Sequence, residues 1–302
     1  MASVGLSGAG RAERVDPVNG VREIAEFAGI HDPVLRFVHL PLTQPTGTLM
    51  ICSPVYAEFS KNYRREVRLA RKLASSGIAA VRLQYRGTGN SQGDAATATM
   101  ASLASDVADT VAELSSRHHL PSPAYLGTRV GAMVAASAAP PTAPLVLWEP
   151  VLSGDRWLKE GIRAAAISRV SRHLHDEREN SKPENSKDPI AQLEKEGVLD
   201  LLGFALYQPL VADIRAIATE ELLSRREGRL LVLQVGGGSQ PRPAVGKLLD
   251  RLRLAGVNVD FQSAGKEVAW WYEEAGGRDF SNDDEIIDPT VSWLTQVFGN
   301  LS

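Results

Sequence analysis

Ala124 to Leu126 form a short apolar run that enters Gly127-Thr128-Arg129-Val130-Gly131 and continues into the small-residue stretch Ala132-Met133-Val134-Ala135. A strand, a sharp turn and a helix in that order make a nucleophile elbow, and the glycines on both sides of its central residue serve a backbone folded too tightly for side chains. The chemistry such a turn supports is attack on a carbonyl by Ser, Cys or Asp. Here the central residue is Arg129, whose guanidinium stays protonated in a protein and cannot attack. The turn is present and its usual chemistry is missing. A fixed cation beside the N–H groups of a helix N-terminus would instead bind a carboxylate, phosphate or carboxamide oxygen. The other role open to Arg129 is internal, as a plug paired with Glu149, Glu267, Glu273 or Glu274, because a buried arginine needs a partner either way.

Further residues could join this chemistry. Glu149 follows the apolar run Leu145 to Trp148, which places it at the carboxyl end of a strand and makes it the candidate site carboxylate. Tyr85 ends another strand, where its hydroxyl either moves a proton or is structural. Trp270 and Trp271 either stack on a flat or cationic ligand or divide between core and surface; Trp148 reads as core. His118 and His119 precede Pro121 and read as capping or solvated residues at a helix end. His173 and His175 have no third ligand at a recognisable spacing, so no metal site is expected.

The elements that must position these residues alternate. Strands are expected at Arg36 to Leu40, Thr48 to Ser53, Ile78 to Leu83, Ala124 to Leu126, Leu145 to Trp148, Leu230 to Leu233 and Val257 to Phe261. Between them, Tyr63, Val67, Ala70 and Leu73 recur at helical spacing, as do Leu103, Val107, Val111 and Leu114; further helices are expected at Val130 to Ala138, near Ala244 to Leu254, and from about Pro289 to Phe298. Strand and helix in alternation predict an α/β fold, a mostly parallel sheet covered by helices on both faces, with ligands beyond the carboxyl ends of the strands. Residues 1–22 read as a flexible tail. Residues 153–206 lack strand signals, with helices expected at Trp157 to Arg172 and Ile190 to Leu202, and read as a helical cap inserted between a first core segment, 23–152, and a second, 207–302.

Composition excludes several classes. The chain has 302 residues, is 43% hydrophobic, and carries a net charge of -3 from 33 Lys plus Arg and 36 Asp plus Glu. It can bury a large core and has no charge block suited to nucleic acid. Its one cysteine, Cys52, lies in an apolar strand and fits a reducing compartment. Met1 to Arg14 has no apolar core of a signal peptide, and the longest uncharged stretch, Val130 to Trp148, is broken by Pro140, Pro141 and Pro144, so no membrane span is expected. These features predict a cytoplasmic protein that works without a cofactor, on a small-molecule ligand or a protein partner.

Gln84-Tyr85-Arg86-Gly87-Thr88-Gly89-Asn90-Ser91-Gln92-Gly93 resembles the D-x-R-G-x-G-x-S-x-G loop that follows the fourth strand of α/β-hydrolases. With Ser53-Pro54-Val55 before it, the elbow after it and Leu147-Trp148-Glu149-Pro150-Val151 beyond, the chain resembles the serine aminopeptidase-like branch, and within it the hydrolases associated with exosortase systems. The resemblance is close from Thr48 to Ser153 and rests on alternation thereafter. It implies an α/β-hydrolase fold, an oxyanion hole built from the amides of Val130 and Val55, and a triad in the order nucleophile, acid, histidine. The chain departs from that triad throughout. Its six histidines, His31, His39, His118, His119, His173 and His175, all precede the expected loop, which reads Ser263-Ala264-Gly265-Lys266-Glu267-Val268-Ala269-Trp270-Trp271; the acid loop reads Val235-Gly236-Gly237-Gly238-Ser239-Gln240. Ser91 stands in a formal Gly-x-Ser-x-Gly but lacks a strand before it and a helix after it, and reads as a loop residue.

Three functions are therefore open. The protein is a pseudohydrolase that binds a small anionic or acyl/carbonyl ligand, or a partner, at the former active site. Alternatively it is a lyase, cyclase or isomerase in which Arg129 and backbone donors polarise a carbonyl while Glu149 or Tyr85 moves the proton. In the third reading it is an ester or thioester hydrolase with a displaced nucleophile, Ser53, Ser91 or Ser239.

Overall fold

The computed structural model describes residues 3–6, 10–29, 32–175, 188–236, 238–265 and 283–299. Among them a ten-stranded sheet runs in the order β1-β2-β3-β4-β6-β5-β7-β8-β11-β12. Its parallel part consists of β5 (Gly47–Cys52), β6 (Ile78–Leu83), β7 (Ala124–Thr128), β8 (Leu145–Trp148), β11 (Leu230–Val235) and β12 (Val259–Ala264). Every residue of β5, β6, β7, β8 and β11 is buried, as parallel strands covered on both faces must be. Two apolar clusters result, one on each face of the sheet. The fold class expected from alternation is the one observed.

The antiparallel end differs from expectation. β1 (Ser3–Leu6), β2 (Arg11–Asp16), β3 (Val21–Ala28) and β4 (Val34–Pro41) form a meander that joins β6, so residues taken for a flexible tail supply paired strands. β2 escapes a reading based on apolar runs because its sequence Arg11-Ala12-Glu13-Arg14-Val15-Asp16 is mostly charged and its side chains are only half-buried.

Helix α1 (Tyr56–Ser75) follows β5, α2 (Met100–His118) precedes β7, and α3 (Val130–Ala138) follows it. The inner stripe of α1 is only partly the one its apolar spacing suggests, with Ala70 and Leu73 buried as expected. Glu58, Asn62, Glu66, Leu69 and Leu73 are buried, a stripe at helical intervals that is polar in its first half. Tyr63 and Val67 lie only half-buried beside it.

Between β8 and the second core segment lie α4 (Gly154–His175) and α5 (Pro189–Glu196), then a hairpin of β9 (Val198–Leu201) and β10 (Phe204–Tyr207). The helix expected to reach Leu202 therefore ends at Glu196, where Gly197 takes a left-handed conformation (φ 73°) and receives the cap. α6 (Gln208–Ala216), α7 (Thr219–Ser224), α8 (Pro243–Leu254) and α9 (Asp283–Gly299) complete the chain. α9 begins before the expected Pro289, which it carries inside the helix.

Candidate functional site

The chain goes from β5 to β6 on one side and later to β7 on the other, so the carboxyl ends of β5 and β7 form the point where strand order reverses and where open α/β sheets bind ligands. Arg129 stands there as the residue between β7 and α3, with φ 54° and ψ -119°. Such a backbone costs on the order of 1–3 kcal/mol for a non-glycine residue and persists only where the surroundings dictate it. Close packing does so here: a Cβ on Gly127 would lie 2.2 Å from the Gly131 carbonyl oxygen, and one on Gly131 would lie 2.2 Å from that of Cys52. The two glycines let the turn press against the end of β5.

The side chain of Arg129 is 7% exposed and paired. Its Nε donates to Glu58 Oε1 at 3.0 Å and a terminal nitrogen donates to Glu160 Oε2 at 3.1 Å. Glu58 comes from the first turn of α1 and Glu160 from α4. Trp157 of α4 also donates its indole N–H to Glu58 Oε1, at 3.1 Å, and its ring tilts at 34° against Tyr56, centroids 6.3 Å apart. Glu160 in turn accepts from Arg156 Nε at 2.9 Å. The result is a chain of alternating charge, Glu58, Arg129, Glu160 and Arg156, running outward from a carboxylate that is 2% exposed. Burial pushes the Glu58 carboxyl above its ordinary pKa while Arg129 opposes the shift, and Glu58 Oε2 has no hydrogen-bond partner among the described residues. No spacing rule joins Glu58, Trp157 and Glu160 to the elbow; an acid in the first turn of the helix after β5 was the only available signal.

The internal partner expected in Glu149 is a different one. Glu149 does stand at the end of β8, with φ 47°, but it accepts from the Val235 amide at 2.5 Å and pairs with Arg242. Its carboxylate belongs to the turn after β11. Tyr85 is buried and donates its hydroxyl to the Ser53 carbonyl at 3.1 Å, and burial raises its pKa well above the usual value, so it is a structural donor. Val55 caps α1 and Val130 opens α3, positions whose N–H groups have no acceptor within the helix; both side chains are buried. Trp270, Trp271, Glu267, Glu273 and Glu274 lie outside the described residues.

Two of the three alternative nucleophiles are engaged elsewhere, and Ser239 is exposed in the turn after β11. Ser53 donates to Glu66 Oε2 at 2.6 Å in the interior. Ser91 donates to the Gln84 carbonyl at 2.6 Å and accepts from the Leu35 amide at 2.8 Å, fastening its loop to β4. His39 lies beside Glu23, and His118, expected as a cap or solvated, is 3.1 Å from Glu26; both carboxylates are on β3. His119 is the left-handed cap of α2. Among the described residues no cluster of His, Cys, Asp or Glu could hold a metal, and no helix is long and apolar enough to cross a membrane.

The sequence matches no protein-family model and no curated protein. Solved structures do match. Est1E from Butyrivibrio proteoclasticus, solved with ferulic acid bound, aligns with a TM-score of 0.61 at 13% identity over 90% of this chain and 98% of its own. An esterase of Pyrococcus furiosus aligns at 0.57 and 13%, covering 97% of this chain and 94% of its own. The proline iminopeptidase of Mycobacterium smegmatis aligns at 0.55 and 14%, covering 92% and 100%. Together with the parallel sheet and the elbow at its reversal point, these likenesses establish that this chain has the α/β-hydrolase fold.

Proposed function

We propose that the protein is a pseudohydrolase: it keeps the architecture of esterases and peptidases, has given up hydrolysis, and binds a small anionic or acyl/carbonyl ligand at the former nucleophile position. The single observation that carries this reading is Arg129 at the apex of the elbow, held between Glu58 and Glu160. An arginine there cannot form an acyl intermediate, and no histidine follows His175 in the sequence to serve as base in the order the fold requires. The resemblance to exosortase-associated hydrolases supports the ancestry and not the activity.

Residues 153–206 act as the cap in this reading. Glu160 is more exposed than Glu58, with 29% of its side chain accessible against 2%. A ligand carboxylate or carbonyl oxygen replaces Glu160 on the guanidinium, and the amides of Val130 and Val55 supply further donors. Glu160 is thus an internal competitor, and removing its charge strengthens binding.

A second reading, a lyase or isomerase, is favoured by one observation, the unpartnered Oε2 of Glu58. In that case Glu58 takes the proton-moving role expected of Glu149 or Tyr85.

The test is a titration of isotopically labelled protein with N-acetylglycinate, which offers both a carboxylate and an amide carbonyl. Saturable amide shifts at Val130 and Gly131, with an affinity at least about tenfold higher in Glu160→Gln, support the site. Absence of shifts at the elbow in both proteins, or weaker binding in Glu160→Gln, contradicts it.

A further inference from the structure

The antiparallel end of the sheet holds a separate cavity of about 420 Å³ between β2, β3, β4 and the middle of α1, within the range of about 300–1,000 Å³ usual for small-molecule sites. Register explains why it is there. Ala12, Ala25, Phe37 and Arg82 stand opposite one another across β2, β3, β4 and β6, and on the two outer strands of this row alanines leave the floor low. Tyr63 and Val67, the half-buried residues of α1, line the same space.

Two buried polar side chains, Arg82 and His39, line it. Arg82 is 3% exposed, and its Nε has no hydrogen-bond partner among the described residues. Its guanidinium lies over the rings of Phe37 and Tyr63, with Cζ 4.9 Å from each centroid. The N–H edge of a guanidinium is the part that grips carboxylates in a two-pronged way. His39 is equally buried, and its Nδ1 lies 3.2 Å from Glu23 Oε1. Burial pushes the His39 imidazole below its ordinary pKa, so it adds no second positive charge at neutral pH.

Other charges line the cavity, and Glu13 among them pairs with Arg11 and Arg22. Glu23 accepts from Arg71 Nε at 2.5 Å and from a terminal nitrogen at 3.1 Å, and Arg14 is exposed at the rim. Arg82 is the one buried cation among the described residues of this lining, beside Ala12, Ala25, Phe37 and Val67, and suits one negative charge.

We propose that this cavity binds a small monocarboxylate with an apolar body, the carboxylate seated on the edge of Arg82 and the apolar part lying between Ala25 and Val67. The site is independent of Arg129, from which β5 separates it in the sheet.

Sodium benzoate is the probe. Titration of the full chain should give saturable shifts at the amides of Phe37 and His39 and at Arg82 Nε, with a midpoint that Glu160→Gln leaves unchanged. Arg82→Gln should raise the dissociation constant at least about tenfold, the loss expected for one charge-assisted contact. Ala25→Leu, which keeps the charge and fills the floor, should abolish binding and carries the test alone should Arg82→Gln fail to fold. Inorganic phosphate at matched ionic strength should give no saturable shift. No saturable benzoate binding up to about 10 mM, a concentration that would detect affinities of a few kcal/mol, would overturn the proposal. So would unchanged binding in Ala25→Leu, shifts confined to the elbow, or preference for phosphate.

Discussion

Glu58 Oε1 and Arg129 Nε meet at 3.0 Å, joining the first turn of α1 to the apex of the turn between β7 and α3. Both side chains are almost wholly buried, so desolvation is large and is offset by mutual attraction, by Glu160 on Arg129 and by the added hydrogen bond from Trp157 on Glu58. Removing Arg129 takes away the charge that faces the buried Glu58 carboxylate.

Arg129→Ala should therefore destabilise the protein by about 3–5 kcal/mol, the usual consequence of breaking a buried pair. Arg129→Met combined with Glu58→Gln, which removes both charges, should recover most of the loss. Urea denaturation of the three proteins checks this. A change within about 0.5 kcal/mol for Arg129→Ala, the range of an ordinary surface substitution, would show that the pair does not hold the elbow.

Gly131→Ala should be among the most damaging single substitutions in the chain. The added Cβ would lie 2.2 Å and 2.4 Å from the carbonyl oxygens of Cys52 and Ser53, backbone atoms at the end of a central strand that cannot withdraw. A loss exceeding about 3 kcal/mol is expected, again by denaturation; a neutral result would mean that α3 does not pack against β5 as described.

Glu66 should make stability depend on pH. Burial raises its carboxyl from 4.5 to about 7, against the opposing hydrogen bond from Ser53. The folded state then holds a proton that the unfolded state has lost, so the contribution to stability is complete below about 4.5 and declines as pH rises to about 7. Glu66→Gln cannot ionise, and its stability relative to the parent should grow across that window by a few kcal/mol. A difference that stays constant with pH would show that Glu66 titrates normally.

What could be read in advance follows from where apolar side chains sit. β5, β6, β7, β8 and β11 are buried on both faces and so appear as uninterrupted apolar runs, and the elbow is visible because Gly127 and Gly131 are demanded by backbone contact. β2 stayed hidden because a half-buried edge of charged residues carries no such run. The hairpin of β9 and β10 is too short for periodicity to separate it from a helix, with four residues in each strand. The partners of Arg129 were the least legible: Glu58 is 71 residues away and Glu160 is 31, and nothing local distinguishes a carboxylate facing inward in a helix from one facing water. α1 misled for the same reason, since Tyr63 and Val67 have apolar spacing yet border a cavity, while Glu58 and Glu66 are polar and buried.

The measurement that bears most directly on the loss of hydrolysis is intact-mass analysis after incubation with a fluorophosphonate, which reacts with activated serine nucleophiles. The folded protein should remain unlabelled, and Arg129→Ser, lacking a base, should neither label nor hydrolyse p-nitrophenyl acetate above background. Stoichiometric modification of one serine in the parent protein, whether Ser53, Ser91 or Ser239, would contradict the account.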